Sequence, residues 1–227
     1  MTKDNSFKEH ELKSKIENKA INSVMGIVSP LVHSIDYINE GLSIGQYFFK
    51  EIIDEGITLF DSGNSEFVKP GKLCPQQMKD RAQEYFDIWL QMGKDFLIDG
   101  HNCIKRGSLR KAMFEYHQAV EHFYASILLV LTGFKPKSHN LENLRIYSKH
   151  LSKELFYLFD FSSNNKTERD RLDILKKGYI DARYNKKYQV SLEDCIFVES
   201  KVKKMQEIVE AACLFEMERL DSLIKEK

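Results

Sequence analysis

The run from Lys111 to Thr132, KAMFEYHQAVEHFYASILLVLT, most constrains what this chain can fold into. Its apolar residues recur at helical spacing, it turns almost wholly apolar from Ala125 to Leu131, and Gly133 and Pro136 mark its end. A helix apolar on every side must be surrounded by others, so the spacing predicts a helical bundle built around it. His117, Gln118 and Glu121 are polar residues on this otherwise buried element, and their role needs a physical account.

Composition narrows the partners. With 227 residues, 42% of them apolar, the chain can build one sizeable core or two small ones. Lys and Arg total 34, as do Asp and Glu, so no net field draws the whole molecule toward nucleic acid or anionic lipid, and any such contact must be local. Only four Pro and 11 Gly suit long helices rather than many turns. Cys74, Cys103, Cys195 and Cys213 lack metal-ligand spacing and are expected to be reduced thiols. No apolar run approaches the ~20 residues of a membrane span, and no signal-peptide core follows the polar Met-Thr-Lys-Asp start. A cytoplasmic protein without membrane or DNA contact is expected.

Read in order, the chain divides into three parts. Residues 1–66 read as a small α/β unit: a helix over 7–23, a strand near 30–35, a helical turn capped by Asp36, a helix over 46–55 ended by Gly56, and a second strand over 57–61. Residues 67–74 are a linker. Residues 75–227 read as helices only: Gln76–Lys105, the central helix with Ser108 as its N-cap, a short helix capped by Asn140, another over 152–161, one reaching about Tyr184, and a last one opened by the Ser191/Asp194 pair and running to Leu220. The fold class is mainly α, an up-and-down bundle with a small N-terminal α/β unit.

Three places could carry chemistry. His117 and Glu121 lie four apart, on one helix face, as a metal or acid–base pair would. A polar pair hydrogen-bonded within the bundle or to a partner chain is the favoured explanation, and no third ligand stands at a motif spacing, so no metal is expected. The turn Lys135-Pro-Lys-Ser-His-Asn140 places Lys137 and His139 where a phosphate could be received, or is a solvated turn with a helix cap. In Tyr179-Ile-Asp-Ala-Arg-Tyr-Asn-Lys-Lys-Tyr188, Arg183 with Tyr184 and Tyr188 offers cations for phosphates and rings for bases. Arg183 could instead pair with Asp181 or Glu121 and tie the bundle together. Glycine-rich phosphate loops, nucleophile elbows and zincin motifs are absent.

The order His117-Gln-Ala-Val-Glu121, then Phe134-Lys-Pro-Lys-Ser-His-Asn-Leu141, then Tyr179-Ile-Asp-Ala-Arg-Tyr184 before a last helix resembles the HEPN family, helical domains linked to nucleotide binding and RNA cleavage. Leu31–Asn39 and Gly45–Gly63 resemble the last part of a minimal polymerase-β-type nucleotidyltransferase, as fused to HEPN domains in bacterial toxin–antitoxin-like pairs. The resemblance implies a Gly-Ser motif and paired Asp residues ahead of that stretch, and none stands before Met25. That unit is therefore expected to be an inactive remnant, needing Mg only if an upstream segment supplies the carboxylates. The ribonuclease members carry a His four to six residues after the Arg; here residues 184–191 hold none, and Tyr188 stands at that spacing. The expectation is a non-catalytic, self-associating module, a homodimer through the bundle, that binds a nucleotide or RNA through His117, Glu121, Lys137, His139, Asp181, Arg183, Tyr184 and Tyr188. A metal-independent ribonuclease using Arg183 and Tyr188, and a purely structural partner-binding bundle, are the alternatives.

Overall fold

The computed structural model describes residues 9–24, 28, 30–71 and 74–225. The chain forms two compact units, residues 1–72 and 73–227.

In the second unit the central helix is where the sequence put it. Helix α6 (Leu109–Thr132) buries most of its length, including Tyr116, Phe123 and Tyr124, and ends at Gly133, whose φ of 66° is the left-handed stop that glycine supplies. The helix ahead of it is continuous but not uniform. α4 (Pro75–Tyr85) passes through a π-helical turn, Phe86–Leu90, into α5 (Gln91–Lys105). α5 and α6 then run antiparallel and very close. A Cβ at Gly93 would stand 2.6 Å from the Phe123 ring and one at Gly100 2.3 Å from the Tyr116 ring, so two glycines, two turns apart, receive two rings spaced the same way on α6.

α7 (Leu141–Ser148), α8 (Lys153–Leu158), α9 (Lys166–Tyr184) and α10 (Leu192–Lys225) complete the bundle. Local chemistry sets their starts. The Asn140 side chain accepts from the Glu142 and Asn143 amides, and the Asn165 side chain accepts from the Glu168 amide. Ser191 and Asp194 cap α10 reciprocally, the Ser191 hydroxyl accepting from the Asp194 amide while the Asp194 carboxylate accepts from the Ser191 amide. Ser108 does precede α6, yet its side chain makes no cap hydrogen bond. α9 crosses α6 closely at Gly178, where a Cβ would stand 2.9 Å from the Met113 carbonyl oxygen. That crossing brings the end of α9 against the first half of α6.

The first unit holds α1 (Glu9–Val24), α2 (Ile35–Ser43) and α3 (Tyr47–Glu55). Ser34, not Asp36, caps α2, its side chain accepting from the Tyr37 amide. The α/β expectation is corrected here: no strand occurs among the described residues, and neither 30–34 nor 57–61 forms one. β-branched composition favours extended backbone, but a strand exists only when a partner completes its ladder. Ile57, Leu59 and Phe60 are instead almost fully exposed. Further along, the Asn39 side chain does a neighbouring strand's work, donating to the Glu66 carbonyl at 3.1 Å and accepting from the Val68 amide at 2.9 Å.

Among the described residues no helix is long and apolar enough to cross a membrane.

Candidate nucleotide-binding site

The site is assembled from the first half of α6, the α6–α7 turn and the last turns of α9. On α6, Phe114, His117 and Glu121 share one face by their spacing of three, four and seven. His117 is buried and its Nδ1 donates to the Leu175 carbonyl at 3.0 Å, which leaves Nε2 as the bare ring nitrogen. Burial lowers the His117 pKa below the usual histidine value, outweighing the Leu175 carbonyl, the Glu121 carboxylate and the His139 backbone, which raise it. His117 is thus a neutral core residue.

Glu121 is also buried, and it reaches outward. Its Oε1 accepts from His139 Nδ1 at 2.8 Å. His139 itself is exposed, and its ring lies parallel to Tyr179, centroids 5.4 Å apart and planes 3° from parallel. Glu121 Oε2 and His117 Nε2 are buried without a hydrogen-bond partner.

Tyr179 links this inner group to the surface. It stacks near Phe114, with centroids 6.3 Å apart, and carries the Arg183 guanidinium 4.5 Å from its centroid. Arg183 lies on α9 one turn beyond Tyr179, where its Nε donates to the Tyr179 carbonyl at 2.8 Å. The same guanidinium lies 5.2 Å from the Phe114 centroid and 5.1 Å from that of Tyr184. Of the alternatives left open by the sequence, neither ion pair forms: among the described residues Arg183 has no carboxylate within ion-pair distance. Arg183 and Tyr184 are exposed.

Tyr188 and Asp181 belong to a different arrangement. Tyr188 is buried, its hydroxyl donates to the Ile174 carbonyl at 2.7 Å, and burial drives its pKa further up from an already high value. Its side chain anchors the α9–α10 turn. Asp181 contributes its carbonyl to a second anchor: Arg110 of α6 donates to the carbonyls of Asp181, Ala182 and Asn185, at 3.1, 3.1 and 2.8 Å. A cation on the last carbonyls of a helix is favoured by the helix dipole. Lys137 lies exposed in the α6–α7 turn.

The structure therefore joins His117, Glu121, His139 and Arg183 through Phe114 and Tyr179, two residues absent from the sequence-based set. Helical spacing could have found both, Phe114 one turn before His117 and Tyr179 one turn before Arg183. Arg110 had no such signal, because its partners lie on another helix.

Beyond Arg183 the surface opens into a cleft of about 650 Å³ between the start of α6 and the end of α9, lined by Arg110, Lys111, Phe114 and Arg183 with Leu109 and Val190. A second cleft of about 550 Å³ adjoins it across Arg110 and Val190, toward Tyr188 and Asp194.

Among curated proteins the chain finds no match. The HEPN domain model matches residues 86–218, from the π turn into α10 and across every element of the site, which is more than half of the sequence. By its helices, by the order in which they deliver these side chains and by that match, the chain belongs to the HEPN domain family.

Proposed function

We propose that this chain is a nucleotide- or RNA-binding HEPN module that holds its ligand at the ridge of Arg183, Tyr179, Tyr184 and His139 without cleaving it. The observation that carries the reading is Arg183: an exposed guanidinium without a carboxylate partner, laid across Phe114, Tyr179 and Tyr184. A fixed cation beside the exposed Tyr184 ring and the half-buried rings of Phe114 and Tyr179 suits a phosphate next to a stacked base. Tyr188 supports the non-catalytic half, since its hydroxyl is committed to the Ile174 carbonyl and is held neutral. Self-association belongs to the same reading, supported by the exposed Ile196, Leu214 and Phe215 on α10, and equilibrium sedimentation measures it. The N-terminal nucleotidyltransferase resemblance contributes nothing to this reading, because no paired strand occurs among the described residues of the unit that carries it.

Fluorescence anisotropy with a labelled single-stranded RNA, competed by nucleotides, tests the binding. Arg183→Ala is expected to weaken it by about tenfold or more, as losing one charge-assisted contact does, with an unchanged unfolding midpoint. Equal binding by wild type and variant sinks the reading.

One observation favours a ribonuclease as second reading. His139 is oriented by a buried carboxylate, as a general base is, and stacks on the same tyrosine as Arg183. RNA cleavage in the absence of metal, lost in both His139→Ala and Arg183→Ala, would replace the non-catalytic assignment.

A further inference from the structure

The cleft on the far side of Arg183 shares that arginine with the binding ridge, and the rest of its lining has a chemistry of its own. Three cations, Arg110, Lys111 and Arg183, meet there with Phe114, Leu109 and Val190, and the lining contains no carboxylate. About 650 Å³ falls within the range of small-ligand sites and exceeds what one phosphate needs.

How much of that charge is free decides what fits. Lys111 is partly compensated by the nearly buried Glu115 carboxylate at 3.1 Å, although its own side chain stays 59% exposed. One Arg110 nitrogen is committed to three backbone carbonyls, while its buried Nε has no partner. Arg183 spends its Nε on the Tyr179 carbonyl and keeps its remaining N–H groups. The cleft thus offers roughly the charge of one phosphate group rather than three. A triphosphate brings more negative charge and a divalent cation that is usually steadied by one or two protein carboxylates, and this lining supplies none. The apolar half, with the Phe114 ring, suits the flat face of a base.

We infer that this cleft is a subsite for a single nucleotide bearing one phosphate group, with Lys111 and Arg183 holding the phosphate and Phe114, Leu109 and Val190 packing the base. The inference rests on the nucleotide-binding reading and specifies its ligand as a monophosphate, whether free or at the end of an RNA strand. Lys111 and Arg110 become ligand-facing residues, and Arg183 serves the ridge and the cleft together.

Isothermal titration of the full chain with adenosine, AMP and ATP with Mg, and with one short RNA carrying either a 5′-phosphate or a 5′-hydroxyl, tests it. AMP is expected to bind at least about tenfold more tightly than adenosine and more tightly than ATP, and Lys111→Gln is expected to remove that preference while leaving adenosine unchanged. Ala182→Phe, which fills the cleft, is expected to abolish AMP binding, and unfolding midpoints near wild type establish that both variants are folded. If the phosphorylated RNA gains over the hydroxyl form, the natural source is a strand end; if only AMP shows the preference, it is a free nucleotide. Equal affinities for AMP and adenosine overturn the cleft assignment. If RNA still binds in an Arg183-dependent way under that outcome, the binding ridge stands alone. AMP binding sensitive to Lys111 without any RNA binding keeps the cleft and removes RNA from the proposed function, and no binding by any probe removes both.

Discussion

At the scale of single residues, the most informative is the one with the least freedom. His117 is buried, gives its Nδ1 proton to the Leu175 carbonyl, and has its pKa lowered by burial. In the unfolded chain the same imidazole titrates near 6.5. Between the lowered folded value and that unfolded value the unfolded state holds the extra proton, so acid favours unfolding. The His117 contribution is therefore complete above about pH 6.5 and is lost as pH falls below it. Calorimetric unfolding midpoints recorded from pH 8 to pH 5 are expected to decline on the acid side for the wild type and to decline less for His117→Asn, whose amide can still donate to Leu175. Parallel curves would show that His117 does not govern the acid limb. The shape of the curve is the readout, because the smaller side chain also lowers stability at every pH by about 1 kcal/mol or more.

At the scale of elements, the site depends on how closely α9 crosses α6. Gly178 sets that distance, since its missing Cβ would meet the Met113 carbonyl oxygen at 2.9 Å and the carbonyl carbon at 3.4 Å. Gly178→Ala sets two effects against each other. Helix propensity alone favours alanine by about 1 kcal/mol. Overpacking against a backbone carbonyl, which cannot swing aside as a side chain can, costs about 1–3 kcal/mol. The contact wins, and urea denaturation is expected to show a net loss of about 1 kcal/mol. A gain would mean that the crossing relaxes freely. The same contrast between local and distant causes explains what the sequence disclosed. α6, the Asn140 cap and the reciprocal Ser191/Asp194 cap were legible because their determinants lie within one helix or one turn. The strands near 30–35 and 57–61 were misread because pairing depends on residues elsewhere in the chain. Tyr188 was expected to offer its ring to a base, and only the fold buries it and sends its hydroxyl to Ile174. The stack of Phe114, Tyr179 and Arg183 joins two helices far apart in sequence, so Arg183 was legible singly and its assembly with the two rings was not.

At the scale of the whole molecule, the apolar core and the family match fall on the same side of the boundary between units. The contiguous core runs from Ala82 to Leu220 in sequence, and the match from 86 to 218 lies inside the second unit. In the first unit, Leu42 and Phe49 are the large apolar side chains buried among the described residues, while Ile57, Leu59 and Phe60 are exposed. Among the described residues of that unit, so few buried side chains fall short of the apolar burial needed to offset the conformational entropy lost on folding. The second unit has it: α6 alone buries Tyr116, Phe123, Tyr124 and Ile127 completely, and each fully buried large apolar side chain contributes about 1.5–3 kcal/mol. A fragment starting at Cys74 is therefore expected to unfold in one cooperative transition, within a few degrees of the corresponding transition of the full chain, and to keep ligand binding sensitive to Arg183→Ala. A fragment of residues 1–72 is expected to show no cooperative transition by circular dichroism. If the larger fragment loses its transition while the full chain keeps it, the first unit supplies folding free energy to the second, and the stability of the site cannot be assigned to the bundle alone.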